Sequence, residues 1–333
     1  MNVVEVEGLA VRYGKRVALD GVSLTLPRGA AGLLGPNGAG KSTLMKTLLG
    51  FLRADSGSVR VLGHEMPSQA LDVRQQIGFM PERDLMSPKV SAVSFLVYCG
   101  RLHGMSRPDA MERTHAVLNY VGLGEARYRK METYSKGMCQ RVKFAQAIIH
   151  DPKLLLMDEP TNGLDPAGRI EMLDLIAELA RKRDIAIVLS THLLPDVQRV
   201  CDHLVILNEG RVVRSGTLES LTGTRDGWIE VRVHSRGPEF TQAIERAGCS
   251  VRVALDGTLK VSKAARMDTG AFFRIAGELG THIRHFRPVR QSLEETFLEA
   301  IGHSALGAGR NGRPGTPPEL PAARTGTCAQ EQA

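Results

Sequence analysis

The chain has little with which to staple or anchor itself. Its 333 residues include five cysteines, an odd number with no Cys-x-x-Cys pair, so neither a disulfide framework nor a zinc ribbon is expected and a reducing compartment is. No apolar run approaches the roughly 20 residues that span a bilayer, so the chain is expected not to cross a membrane itself. The opening MNVVEVEGLAVRYGK carries acidic residues in a strand-like pattern, unlike a signal or transit peptide. Aromatic residues make up only 5% of the chain and tryptophan occurs once. The formal charge of +7 is spread along the sequence, without a basic stripe interleaved with stacking aromatics, so nucleic acid is not an expected ligand.

What is present is a phosphate-binding pattern. GPNGAGKST, residues 35–43, has the spacing Gly35, four residues, Gly40, Lys41, Ser42. Glycine at 35, 38 and 40 allows backbone conformations closed to residues with a Cβ, so that successive N–H groups can turn around phosphate oxygens. Lys41 adds a mobile positive charge, and the Ser42 hydroxyl is placed to ligate Mg²⁺. The apolar run AAGLL before the loop reads as a buried strand, and TLMKTLLG after it as a helix whose positive end faces the phosphates.

Short apolar strands, among them KLLLMD and IAIVLS, alternate with helical stretches up to about residue 220, the pattern of a layered α/β domain. Between about 82 and 150 helix-forming sequence takes over, which reads as a helical subdomain inserted into the nucleotide domain. A second module is expected over 222–303. WIEVRVH alternates, EFTQAIERAG is helical, and CSVRVAL and TLKVS flank the turn signal Asp256-Gly257. A further helix and strand complete the β-α-β-β-α-β order of ferredoxin-like domains. QSLEETFLEAIG reads as a closing amphipathic helix, and residues 304–333, with four prolines and five glycines, as a disordered tail.

KLLLMDEPTNGLD supplies the loop's partner. A strand ending at Asp158 presents a carboxylate able to hold Mg²⁺ opposite Ser42, and Glu159 beside it is placed to orient or deprotonate a water aimed at a γ-phosphate. That is a hydrolytic arrangement and not a kinase one. Upstream, YSKGMCQR (134–141) has an N-cap serine, Ser135, and a bare Gly137 at a helix start, a second anion site.

Taken in order, GPNGAGKST, YSKGMCQR, LLLMDEP, NGLD and LSTH resemble the motifs of ATP-binding subunits of the ABC transporter family, over residues 1 to about 220. The resemblance implies an ATPase of the P-loop class using ATP and Mg²⁺. It implies ATP contacts from Gly35, Pro36, Asn37, Gly38, Ala39, Gly40, Lys41, Ser42 and Thr43, with Tyr13 stacked on adenine. Mg²⁺ falls to Ser42 and Asp158, and catalysis to Glu159, to His192 as γ-phosphate sensor, and to Glu82, which stands where the family commonly has glutamine. Ser135, Gly137 and Asp165 are implied to act in trans on the nucleotide of a second ATPase subunit, identical or a sister chain. Tyr134, Lys136 and Met138 depart from the usual leucine-serine-glycine-glycine-glutamine signature, and such versions resemble an exporter branch whose ATPase is a separate chain. A separate membrane permease follows, with the ATPase on the cytoplasmic face of the cell membrane through it. The alternative is a non-transport ABC ATPase acting on ribosomes or nucleic acid, whose relatives usually carry two ATPase units or a long coiled coil.

Overall fold

The computed structural model describes residues 2–83, 89–182, 185–222, 224–254, 257–262, 268–290 and 292–307. Three sheets organise these residues. The central one has six strands, in the order Arg211–Thr217, His203–Asn208, Ala30–Leu34, Ala186–Thr191, Leu154–Asp158 and Ile77–Met80. All pairings are parallel except that of the Arg211 edge strand. The strands Ala30–Leu34, Leu154–Asp158 and Ala186–Thr191 are buried along their whole length, which is why they read as continuous apolar runs.

Alternate residues of each buried strand enter different cores. Ala31, Leu33, Leu154, Leu156 and Val188 pack toward the helix Lys41–Leu48 and a second sheet. Leu34, Leu155, Met157, Ile187 and Leu189 pack toward the helical layer. The second sheet is antiparallel, in the order Arg16–Pro27, Asn2–Tyr13, Ser56–Val61, His64–Glu65. Residues expected to join a single α/β alternation therefore form a separate layer, because their apolar-polar alternation, interrupted by bulges in Asn2–Tyr13, gives each strand one mainly buried face.

The helical layer comprises Ala92–Leu102, Arg107–Tyr120 and Lys136–Ile148. Each starts on a serine whose side chain accepts from a backbone N–H three residues on: Ser91 from Ser94, Ser106 from Asp109 and Ser135 from Met138.

The C-terminal sheet has the order Ser250–Val253, Leu259–Ser262, Thr224–Val233, Ile283–Arg290, antiparallel throughout. With the helices Gly237–Arg246 and Thr269–Glu278 on one face, this is the ferredoxin-like arrangement. Val231, Phe240, Ile244, Val261 and Phe272 form its core. Gly257 takes the positive φ of 78° that its turn requires, while Asp256 lies outside the described residues. The closing helix, Leu293–Gly307, belongs to a different core: Leu293 and Ala300 are buried within the nucleotide domain's cluster, and Thr296 Oγ1 donates to the Leu221 carbonyl at 2.9 Å. It runs past residue 304, where the tail was expected to begin; residues 308–333 lie outside the description.

Candidate active site

Parallel strands end their carboxyl termini on one edge, and register decides what meets there. Leu34 pairs with Thr191 and Asp158 with Ser190, so the phosphate loop, the acidic pair and His192 emerge side by side. They line one cavity of about 640 Å³, within the range of a small-molecule site. Its walls include Tyr13, Asn37, Gly38, Ala39, Gly40, Lys41, Ser42 and Thr43, and also Glu82, Asp158, Glu159 and His192. Gly35 and Pro36 are not on its wall; their carbonyls accept from Lys41 Nζ at 2.6 Å and 3.3 Å. Ser135, Gly137 and Asp165 do not line this cavity.

The loop glycines serve two different needs. Gly38 and Gly40 have φ of 84° and 107°, in the left-handed region. Gly35 does not share that conformation; a Cβ there would sit 2.2 Å from the Leu207 carbonyl oxygen, so glycine is required by close approach. Gly40 caps the helix Lys41–Leu48 with no side-chain acceptor, which leaves first-turn N–H groups facing the cavity.

The acidic pair is held from both sides. Ser190 Oγ donates to Asp158 Oδ1, and the Glu159 backbone N–H donates to the Ser190 carbonyl at 3.1 Å. Glu159 takes a φ of 50°, which turns its side chain back over the loop. There its carboxylate lies between Lys41 Nζ, 3.5 Å from Oε1, and His192 Nδ1, 2.9 Å from Oε2. An ionised carboxylate only accepts, so His192 carries its proton on Nδ1 in this contact. Glu159 Oε1 is buried and has no hydrogen-bond partner among the described residues.

Glu82 is fastened at two points. Its Oε1 accepts from Asn162 Nδ2 at 3.1 Å, and its backbone carbonyl accepts from the buried Lys143 Nζ at 2.8 Å. Lys143 lies on the same helix that Ser135 caps, so the signature segment and the Glu82 loop are joined. Tyr134, ahead of that cap, donates its hydroxyl to the Ala126 carbonyl at 2.6 Å, and burial raises its pKa. Asp165 Oδ1 accepts from the Gly168 backbone N–H at 3.3 Å.

Sequence reasoning missed two features. Arg16 lines the cavity beside the loop, three residues after Tyr13, where a Cβ added at Gly38 would lie 3.6 Å from its guanidinium. Asp196 is fully buried, with Oδ2 accepting from Thr161 Oγ1 and Oδ1 from Arg169 Nε, both at 2.6 Å. It ties the segment after His192 to the turn that follows Glu159. A proline-aspartate pair at a helix start, as in LLPD, reads as an exposed first-turn acid, so only the fold reveals its partners.

Residues 19–162 match the ABC transporter family model. A daunorubicin/doxorubicin resistance ATP-binding protein of Streptomyces peucetius is 34% identical, over 91% of this chain and 94% of that protein. A Nod factor export ATP-binding protein of Burkholderia lata is 33% identical, over 90% and 97%. Among solved structures, an ATP-binding subunit of an ABC transporter superposes with a TM-score of 0.59 at 30% identity, covering 66% of this chain and 91% of that one. Given these relatives and a phosphate loop facing a strand-borne acidic pair, the protein belongs to the ABC transporter family, as an ATP-binding subunit whose ATP hydrolysis powers transport.

Proposed function

We propose that this subunit drives an exporter, working in pairs on a separate permease and held by it on the cytoplasmic face of the membrane. Two relatives support the direction: one is named for drug resistance and the other for Nod factor export, and both align over nearly their whole lengths. No helix among the described residues is long and apolar enough to cross a membrane, which agrees with a permease on another chain.

The observation that carries the mechanism is the Glu159 carboxylate, buried, aimed over the phosphate loop and held by a cation on one side and an imidazole on the other. In that position Glu159 accepts a proton from water directed at the γ-phosphate of ATP. Lys41 neutralises charge on the phosphates, first-turn N–H groups of its helix bind their oxygens, and Tyr13, nearly half exposed at the cavity wall, stacks on adenine. His192 holds Glu159 Oε2 and faces the same space, so it responds to presence or loss of the γ-phosphate. Glu82, pinned by Asn162, accepts a hydrogen bond from the attacking water.

The donor set also fits Mg²⁺. A hydroxyl, Ser42, and a carboxylate, Asp158, are hard oxygen ligands lining the same cavity, and among the described residues Glu159 Oε1 has no hydrogen-bond partner, only the Lys41 ammonium at 3.5 Å. Bound there, Mg²⁺ would supply charge neutralisation at the phosphate oxygens.

Ser135, Gly137 and Asp165 lie away from this cavity, which supports a role toward a second subunit's ATP, with closure of the pair as the power stroke. The test is Glu159→Gln. Turnover should fall at least a hundredfold while ATP binding persists, and gel filtration with ATP should show a dimer that the wild type forms only transiently. Normal turnover would remove Glu159 from the base role.

A further inference from the structure

The face of the C-terminal sheet opposite its helices has a composition that the ATPase reading does not use. Outward residues on four neighbouring strands stand in one row: Arg252 pairs with Lys260, Lys260 with Glu230, and Glu230 with Arg287. In the next row Arg232 pairs with His285. Three cations and one carboxylate thus cross the sheet side by side. Like charges directly opposite each other, as Arg252 and Lys260 are, destabilise a sheet, so this row costs stability without serving the core on the other face.

The face is also hollow. Its larger depression, about 500 Å³, is lined among the described residues by four cationic side chains, Arg232, Lys260, Arg284 and Arg287, by His285 and by one carboxylate, Glu230. A second depression of about 250 Å³ shares Lys260 and is floored by Trp228, with the Arg252 guanidinium 5.4 Å from the centre of its ring. Glu230 takes Arg287 at 2.7 Å, and Glu295 of the closing helix takes Lys260 at 3.3 Å. Among the described residues these two carboxylates face five Arg and Lys side chains around the joined hollows, of which Arg232 also donates to Thr258 Oγ1 at 2.9 Å. Guanidinium groups converging on a concave space of small-molecule size are the donors that bind phosphate oxygens bidentately.

We propose that this face is a second anion site, separate from the ATP pocket, that binds a small soluble polyanion carrying two or more phosphate groups. The size of the hollow favours a compact ligand over a polymer. Among the described residues Trp228 is the one large aromatic on the face, which argues against a run of stacked bases.

Trp228 is the only tryptophan of the chain, so its fluorescence reports on this face alone. The experiment titrates the full chain with inorganic tripolyphosphate at 50 mM salt, with a non-hydrolysable ATP analogue filling the phosphate loop. A saturable change in Trp228 emission is expected, with calorimetry giving the same affinity. Arg252→Gln and Arg284→Gln should each weaken it roughly tenfold or more, since each removes a charged hydrogen bond. Arg246→Gln, which takes the same charge from a helix on the opposite face, should leave it unchanged. No binding by either method overturns the proposal, as does equal weakening by all three variants, which would reduce the effect to net charge. A response only to vesicles one-third phosphatidylglycerol, or only to a single-stranded oligonucleotide, overturns it in favour of a membrane surface or a nucleic acid.

Discussion

Asp196 offers the sharpest quantitative test, because its two partners differ in what they leave behind. Asp196 has no exposed side-chain surface, whereas Arg169 keeps 28% of its own. Replacing Arg169 by methionine would leave a fully buried carboxylate with only the Thr161 hydroxyl, and breaking a buried pair in that way costs about 4 kcal/mol. Replacing Asp196 by alanine would leave a guanidinium that can still turn to water, so the cost falls to about 2.5 kcal/mol once its exposure is allowed for. The double variant should cost little more than Asp196→Ala alone, which gives a coupling energy of about 3 kcal/mol. Urea titration by circular dichroism measures the global effect. Hydrogen exchange at the strand Ala186–Thr191 isolates the nucleotide domain from the C-terminal module. Because the cluster joins the segments after Glu159 and His192, kcat should fall several-fold while KM for ATP moves little. Additive single variants, or an Asp196→Ala change costlier than Arg169→Met, would refute this reasoning.

Two further outcomes are expected. Tyr13→Ala should raise KM for ATP by about tenfold with kcat nearly unchanged, since stacking on a base is worth about 1–3 kcal/mol by alanine substitution; steady-state ATPase kinetics decide it. His150 stacks in parallel on His103 with ring centroids 3.8 Å apart, and burial, reinforced by His103, pushes its pKa down to about 4. A group whose folded pKa lies below its unfolded value gives stability that is present above pH 6.5 and lost as pH falls toward 4. Its partial exposure limits the effect to roughly 2 kcal/mol. The drop in melting temperature between pH 7.5 and pH 5 should therefore shrink in His150→Asn, and an unchanged drop would count against the account.

The residues proposed to act on ATP were legible because each must be one type at one spacing: Gly40 for its backbone, Lys41 for its charge, Glu159 for its place at a strand end. The ferredoxin-like order was legible because its strands alternate cleanly. Contacts between distant segments were not. Nothing in LLPD shows that Asp196 meets Arg169, and nothing in QSLEETFLEAIG shows that Leu293 and Ala300 return to the first core rather than close the second. Gly35 was recognised for the wrong reason, since its constraint is the Leu207 carbonyl, which the chain supplies more than 170 residues later.

The central claim is that ATP turnover at Glu159 serves a permease on another chain. The direct measurement is to express tagged Glu159→Gln protein in its own host, solubilise the membranes gently, and identify what co-purifies with and without ATP. A polytopic membrane protein in near-stoichiometric yield is the predicted result. Ribosomal proteins or nucleic acid, with nothing from the membrane, would contradict it.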